Sequence, residues 1–268
     1  MLSPKEEYLQ VNQALWNNKT IFHLSSDFYN VKAFKQGATS LTPIELEQLG
    51  DVSGKSLLHL QCHFGQDTLS WARLGAQVTG IDFSEAAIHA AQNLAKELNL
   101  KARFIHSNVY DLQLHEQFDM VFTSYGVISW LPDLEKWAQV VAAHLKPGGA
   151  FHFMEFHPVV WMFDDNFKYI QYSYFNTETV VEEVQGSYAD RSAPIVGTSI
   201  SWNHSLEEVL GSLLRQGLRI ERFAEYDYSP HDSFPNAMQI AEGKWQIKGL
   251  EGKIPMVFAL KAVKSKLE

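Results

Sequence analysis

The stretch that decides the architecture is LHLQCHFGQDTLSWARLGA, residues 58–76. It opens with residues apolar enough for a buried strand and turns around Gly65. QDTLSWARL then spaces its apolar side chains as a helix that Gly75 stops. The same alternation continues outward. KSLLHLQ (55–61), AQVTGID (76–82), KARFIHS (101–107), FDMVFTS (118–124) and AFHFMEF (150–156) read as strands. Between them, a helix capped by Ser84 repeats Ala87, Ile88, Ala91 and Ala95 on one face. Another repeats Leu134, Trp137, Ala138 and Val141 until KPGG (146–149) ends it. Strands and helices in this rhythm predict right-handed βαβ units and a parallel, doubly wound α/β sheet.

The end of the chain breaks the rhythm. After a helix with a Ser205/Glu208 capping box (205–217), RIERFAEYDY (219–228) and IPMVFALKAVK (254–264) are strand-like with only a loop-like connection between them. Two such strands are expected to pair antiparallel. The whole reads as one domain over 1–268: an N-terminal cap (1–53) containing helices, a ligand-binding core (54–156), an antiparallel β insertion or lid (157–204), and a C-terminal helix and strand pair (205–268).

Composition excludes several classes. A net charge of −9 with no Lys/Arg block argues against nucleic acid as a partner, because backbone-phosphate binding draws on clustered positive charge. A single cysteine, Cys62, excludes an internal disulfide framework, and no metal site is expected. The opening MLSPKEEYLQ has no apolar signal core, and no apolar run approaches membrane-spanning length, so a cytoplasmic location without membrane contact is expected. The 170–204 strands could pair across a two-fold axis to make a homodimer as readily as they could cover a site.

In an open parallel sheet, ligands bind beyond the carboxyl ends of the strands where strand order reverses, and the turn 61–67 lies there. A dinucleotide site requires G-x-G-x-x-G, so that bare backbone can meet a pyrophosphate. Gln61, His63 and Asp67 do not fit it, which disfavours a nicotinamide or flavin dinucleotide. Asp82, at the end of the second strand, can accept hydrogen bonds from both hydroxyls of a ribose or simply cap the helix that follows. In SNVYD, Asn108 can offer its amide to an adenine edge and Val109 its backbone N–H. Turn, carboxylate and amide together outline an adenosine site.

With these residues in view, the chain resembles the class I S-adenosylmethionine-dependent methyltransferases, clearly over about 55–155 and more loosely over 205–264. The carriers are LLHLQCHFG for the glycine-rich turn, GIDFS for the acidic strand end, SNVYDL for the adenine loop, FDMVFTSYGVISWLPD for the fourth strand and its loop, and HLKPGGAFHF before the fifth strand. The resemblance implies a seven-stranded sheet with an antiparallel last strand. It implies S-adenosylmethionine as cofactor, held by Gln61, Cys62, His63, Gly65, Asp82, Phe83, Ser84, Asn108, Val109 and Thr123. Tyr125 and His157 stand where methyl transfer would occur, and the acceptor would be a small molecule with an O, N, S or C nucleophile. Trp16, His23, Phe28 and Tyr29 are candidates for a roof, and the loop with His231, Phe234 and Trp245 for a closing element. The family's turn runs close to D-x-G-x-G-x-G, whereas here His59, Gln61 and His63 replace the acid and two glycines, and Asn108 replaces the usual Asp. A silent binding module on the same fold, or a nucleotide-dependent oxidoreductase, are the competing readings.

Overall fold

In the computed structural model, which describes residues 4–266, seven strands form one sheet, in the spatial order Ala102–His106, Gln77–Asp82, Ser56–Leu60, Phe118–Ser124, Leu145–Phe156, Val257–Lys264 and Leu218–Tyr226. The chain enters through helices α1 (Pro4–His23), α2 (Val31–Lys35) and α3 (Pro43–Leu49). The core then alternates β1 (Ser56–Leu60), α4 (Gln66–Arg73), β2 (Gln77–Asp82), α5 (Glu85–Glu97), β3 (Ala102–His106), β4 (Phe118–Ser124), α6 (Leu134–His144) and β5 (Leu145–Phe156). β1 pairs in parallel with both β2 and β4, so the strand order reverses beside it. The turn Gln61–Gly65 stands at that reversal.

Side-chain alternation along the strands builds two cores. Leu58, Leu60, Val121, Phe151, Phe153 and Phe258 face α6 and α7 (Leu206–Arg215), where Trp137, Val141, Val209 and Leu213 close the layer. Leu57, Met120, Phe122, Met154 and Val257 face the other way onto Trp71 of α4 and Ile44 and Leu49 of α3. Residues one apart therefore serve opposite faces, the period of two that a doubly covered sheet requires. α5 packs Ile88, Ala91 and Leu94 beside α4, against Leu69 and Phe104.

The insertion contains one antiparallel hairpin, β6 (Val180–Gln185) with β7 (Val196–Ser201), and β7 lies against α1. Asn12 of α1 secures this contact by donating to Ile200 O (2.8 Å) and accepting from Ile200 N (3.0 Å). The terminal strands β8 (Leu218–Tyr226) and β11 (Val257–Lys264) pair antiparallel, and β11 inserts between β8 and β5.

Two local expectations need correction. KPGG does not separate α6 from a strand starting at 150: β5 starts at Leu145, and the register against β4 slips across these residues, so that they bulge from the sheet. The 229–253 connection, read as loop, carries a hairpin of β9 (Ala237–Ala241) and β10 (Lys244–Ile247) joined by a two-residue turn with Gly243 at φ 64°. β9 is exposed along nearly its whole length, so it never shows the alternation from which strands are read. Among the described residues no helix is long and apolar enough to cross a membrane.

Candidate active site

The turn after β1 retains the backbone path of a glycine-rich loop without most of the glycines. Gln61, His63 and Gly65 all adopt left-handed backbone, with φ of 56°, 50° and 79°. A residue with a Cβ gives up roughly 1–2 kcal/mol in that conformation, so each departure needs a compensating contact. Gln61 Nε2 donates to Val127 O (3.0 Å), and His63 Nε2 lies 2.9 Å from His23 Nδ1 on α1. At Gly65 the requirement is steric as well, because a Cβ there would stand 2.7 Å from the Phe104 ring.

Above this turn opens a cavity of about 900 Å³. Its floor is the turn itself together with Asp82 and Phe83 at the end of β2 and Ser124 and Tyr125 at the end of β4. α1 forms one wall through Trp16 and Lys19. The Trp16 ring meets His63 and Trp130 edge-on, each at 5.4 Å between centroids. Much of the remaining lining is aromatic, with Tyr29, Trp161, Tyr188, His231 and Phe234 prominent, and Tyr29 and Tyr188 pack on His23 of α1 at 5.2 and 5.1 Å between centroids.

Electrostatically the cavity is unusual. Asp82 is 6% exposed; its Oδ2 accepts from His63 N and its Oδ1 from Ser84 N, both at 2.8 Å, so its two oxygens hold the turn against the start of α5. Burial pushes its pKa up to about 6 despite these bonds. Asp67, in the first turn of α4, accepts from Ser124 Oγ at 3.4 Å, and burial raises its pKa. Nearby Glu45 of α3 is pushed up to about 8, by burial first and by Asp67 second. Burial also lowers Lys19 to about 8, His231 to about 4 and His23 to about 3, leaving both rings neutral.

Four polar atoms on the cavity wall, Trp16 Nε1, His59 Nε2, Gln61 Oε1 and Tyr125 Oη, are buried without a hydrogen-bond partner. Buried polar groups in native proteins are mostly paired, so these four are available to a ligand that reaches them. His59 and His63 stand four residues apart, but His59 Nδ1 turns to Thr68 Oγ1 (2.8 Å) and His63 to His23. Among the described residues no group of three or more His, Cys, Asp or Glu side chains could hold a metal ion.

The expected site residues divide into two sets. Gln61, Cys62, His63, Gly65, Asp82, Phe83 and Tyr125 line the cavity together, as do Trp16, Phe28 and Tyr29 of the roof and His231 and Phe234 of the closing loop. Ser84, Thr123, Asn108, Val109 and His157 do not. Ser84 is fully buried as the N-cap of α5, with its Oγ donating to Asn17 of α1 at 2.7 Å. Thr123 turns its hydroxyl back to Leu60 O at 2.8 Å. Asn108 caps the short turn Val109–Asp111, and Val109 is buried among core residues. α1 crosses beside them, with Gln13 Nε2 on Phe83 O (2.6 Å) and His106 Nε2 (3.2 Å), so the cavity stops short of the third strand.

His157, expected at the transfer point, belongs to the other side of β5. Its backbone N–H donates to Met256 O, its Nδ1 accepts from Val159 N (3.2 Å), and its Nε2 lies 3.0 Å from Glu225 of β8. Glu155 is likewise structural: its carboxylate accepts from the backbone N–H groups of Gly126, Val127, Ile128 and Phe156, fixing the loop that presents Tyr125 and Trp130. Lys19 and Asp67 escaped the sequence reading. Lys19 lies within the N-terminal cap, three residues after Trp16, and Asp67 counted only as a mismatch to a dinucleotide turn.

Sheet order, reversal point and cavity define a class I methyltransferase fold, with the last strand, β11, antiparallel between β5 and β8. Residues 58–151 match the family model for the methyltransferase domain. Over this core the chain is similar to the S-adenosylmethionine-dependent methyltransferases. A ubiquinone biosynthesis O-methyltransferase of Coxiella burnetii is 29% identical over 133 residues, 48% of this chain and 57% of that protein, so the chain spans little more than half the length of this curated relative. Among solved structures, a Listeria monocytogenes protein assigned to the S-adenosylmethionine-dependent methyltransferases superposes with a TM-score of 0.62 at 22% identity, covering 83% of this chain and 96% of that one. The glycopeptide N-methyltransferase MtfA, solved in complex with S-adenosylmethionine, gives 0.55 at 18% identity over 82% and 91%. At these identities the two structures speak for the fold alone.

Proposed function

We propose that the protein binds S-adenosylmethionine in this cavity and transfers its methyl group to a small-molecule acceptor. The observation that carries the proposal is the turn 61–65, whose left-handed positions bring backbone to the cavity floor while Asp82 stands beside it. The unpartnered wall atoms fit such a ligand: Gln61 Oε1 suits an ammonium or hydroxyl donor, and Trp16 Nε1 suits an acceptor. Asp82 and Phe83 would hold the nucleoside, with the ribose hydroxyls on the carboxylate. The amino-acid end would lie toward Gln61 and His63. A pyrophosphate is a poor fit, because the side chains of Gln61 and His63 occupy the approach that a dinucleotide needs free.

When bound, the cofactor supplies a methyl group on a sulfonium, an electrophile that needs no activation by the protein. What the chain contributes is orientation and exclusion of water, through the aromatic wall and the α1 roof. An O–H or N–H acceptor releases a proton on methylation. Asp67, and the neutral His231 ring 5.3 Å from Tyr125, are cavity groups able to take it. The similarity to an O-methyltransferase supports an oxygen nucleophile.

Calorimetric titration with S-adenosylmethionine, S-adenosylhomocysteine and NADH tests the reading. The expected result is binding of both sulfur compounds, loss of that binding in Asp82→Ala with its circular dichroism intact, and no binding of NADH. Wild-type protein that binds neither sulfur compound overturns it.

A further inference from the structure

Lys19 is the cavity's anomaly. It is 7% exposed, and its ammonium sits over two indole rings, 5.0 Å from the centroid of Trp16 and 5.4 Å from that of Trp130. Among the described residues no carboxylate comes within 4.0 Å of its Nζ, and no hydrogen bond from Nζ satisfies any of its three donors. Its titratable neighbours, His23 and His63, are bonded to each other as neutral rings and offer it no charge. Cation–π contact supplies only part of what a buried ammonium loses on leaving water. Buried charges in native proteins are paired, so the missing anion is to be sought in the ligand.

Lys19 also sits on the element that covers the site. α1 reaches the core through Gln13 on Phe83 O and through Asn17, which accepts from Ser84 Oγ and Ala86 N, and it reaches the hairpin through Asn12 on Ile200. Those polar contacts are modest individually, and Leu15 adds apolar packing against Ala193 and Ile195 of the insertion. An ion pair between Lys19 and the cavity's ligand would join the roof to the ligand directly.

We infer that Lys19 is the anchor for a carboxylate on the bound ligand, the amino-acid end of the cofactor, and that this bond fastens α1 over the site. The inference rests on the cofactor reading above. Lys19 lies over Trp16, whose ring meets His63 of the turn at 5.4 Å, which is why the carboxylate is assigned to the cofactor's amino-acid end.

Two probes separate the contributions. S-adenosylhomocysteine carries the carboxylate, whereas 5′-methylthioadenosine shares the adenosine and thioether but lacks the amino-acid end. Lys19→Met keeps the stem and removes the charge. It is expected to weaken S-adenosylhomocysteine by about tenfold or more and to leave 5′-methylthioadenosine within about twofold. By hydrogen exchange, S-adenosylhomocysteine should protect α1 amides in wild type but not in Lys19→Met, and 5′-methylthioadenosine should protect them in neither. Equal S-adenosylhomocysteine affinity in the two proteins, or an equal loss for both ligands, overturns the inference while leaving the cofactor reading in place. Wild type that binds neither probe overturns the cofactor reading and the inference with it.

Discussion

Removing the buried charge of Lys19 should stabilise the ligand-free protein. Burial lowers its pKa from 10.5 to about 8, so the folded state gives up the proton more readily than the unfolded chain does. Below pH 8 the ammonium is held in the cavity at a cost of about 3 kcal/mol relative to the unfolded chain. Lys19→Met removes that cost and retains most of the apolar stem against Trp16, but it loses the two cation–π contacts, worth about 2 kcal/mol together at a desolvated site. A net gain of about 1 kcal/mol near pH 7 follows. The sign of the pH dependence is fixed: between the two pKa values the unfolded chain binds more protons, so wild type gains stability as pH rises from 8 toward 10.5 and the gap between the proteins closes. Urea unfolding of both proteins at about pH 7 and about pH 9.5 reads this directly. A less stable Lys19→Met, or a gap of equal size at both pH values, would refute the idea that the cavity holds an uncompensated cation.

Gly65→Ala should cost about 2–4 kcal/mol, combining left-handed strain with a methyl driven into Phe104; Phe104→Leu should recover part of the loss, which a double-mutant cycle measures. Glu155→Ala, which strands four backbone N–H groups, is expected to destabilise by about 3–5 kcal/mol and to abolish S-adenosylhomocysteine binding by loosening the Tyr125–Trp130 loop, both readable by thermal unfolding with and without ligand. His59 has its pKa lowered by burial to about 3, so its contribution is present above pH 6.5 and is lost as pH falls toward 3. The wild-type stability curve should therefore drop more steeply below pH 6.5 than that of His59→Gln.

Much of this architecture was legible from local pattern. Five βαβ strands and the antiparallel closing pair follow from apolar runs, caps and glycine stops, because each element buries a face whose period is written in consecutive residues. Asp82 was legible for the same reason, as an acid at a strand end beside a turn at the reversal point. The β9–β10 hairpin was not, since β9 is exposed along nearly its whole length and β10 is only four residues long.

The sequence by itself determined the sheet, the location of the ligand-binding edge and the class of ligand that a turn without a dinucleotide fingerprint can accept. These depend on near neighbours in the chain. Only the tertiary structure decided which polar residues reach the cavity. His157 stands one residue past β5 and turns away to Glu225, whereas Lys19 stands more than forty residues before the turn and ends up beside it. It also decided how Gln61 and His63 hold a glycine's conformation, through contacts to Val127 and His23 that lie 66 and 40 residues away in the chain. The physical reason is the same in each case: the direction of a side chain at a strand end, and the partner that pays its strain, are set by elements that meet only when the sheet and its roof have assembled.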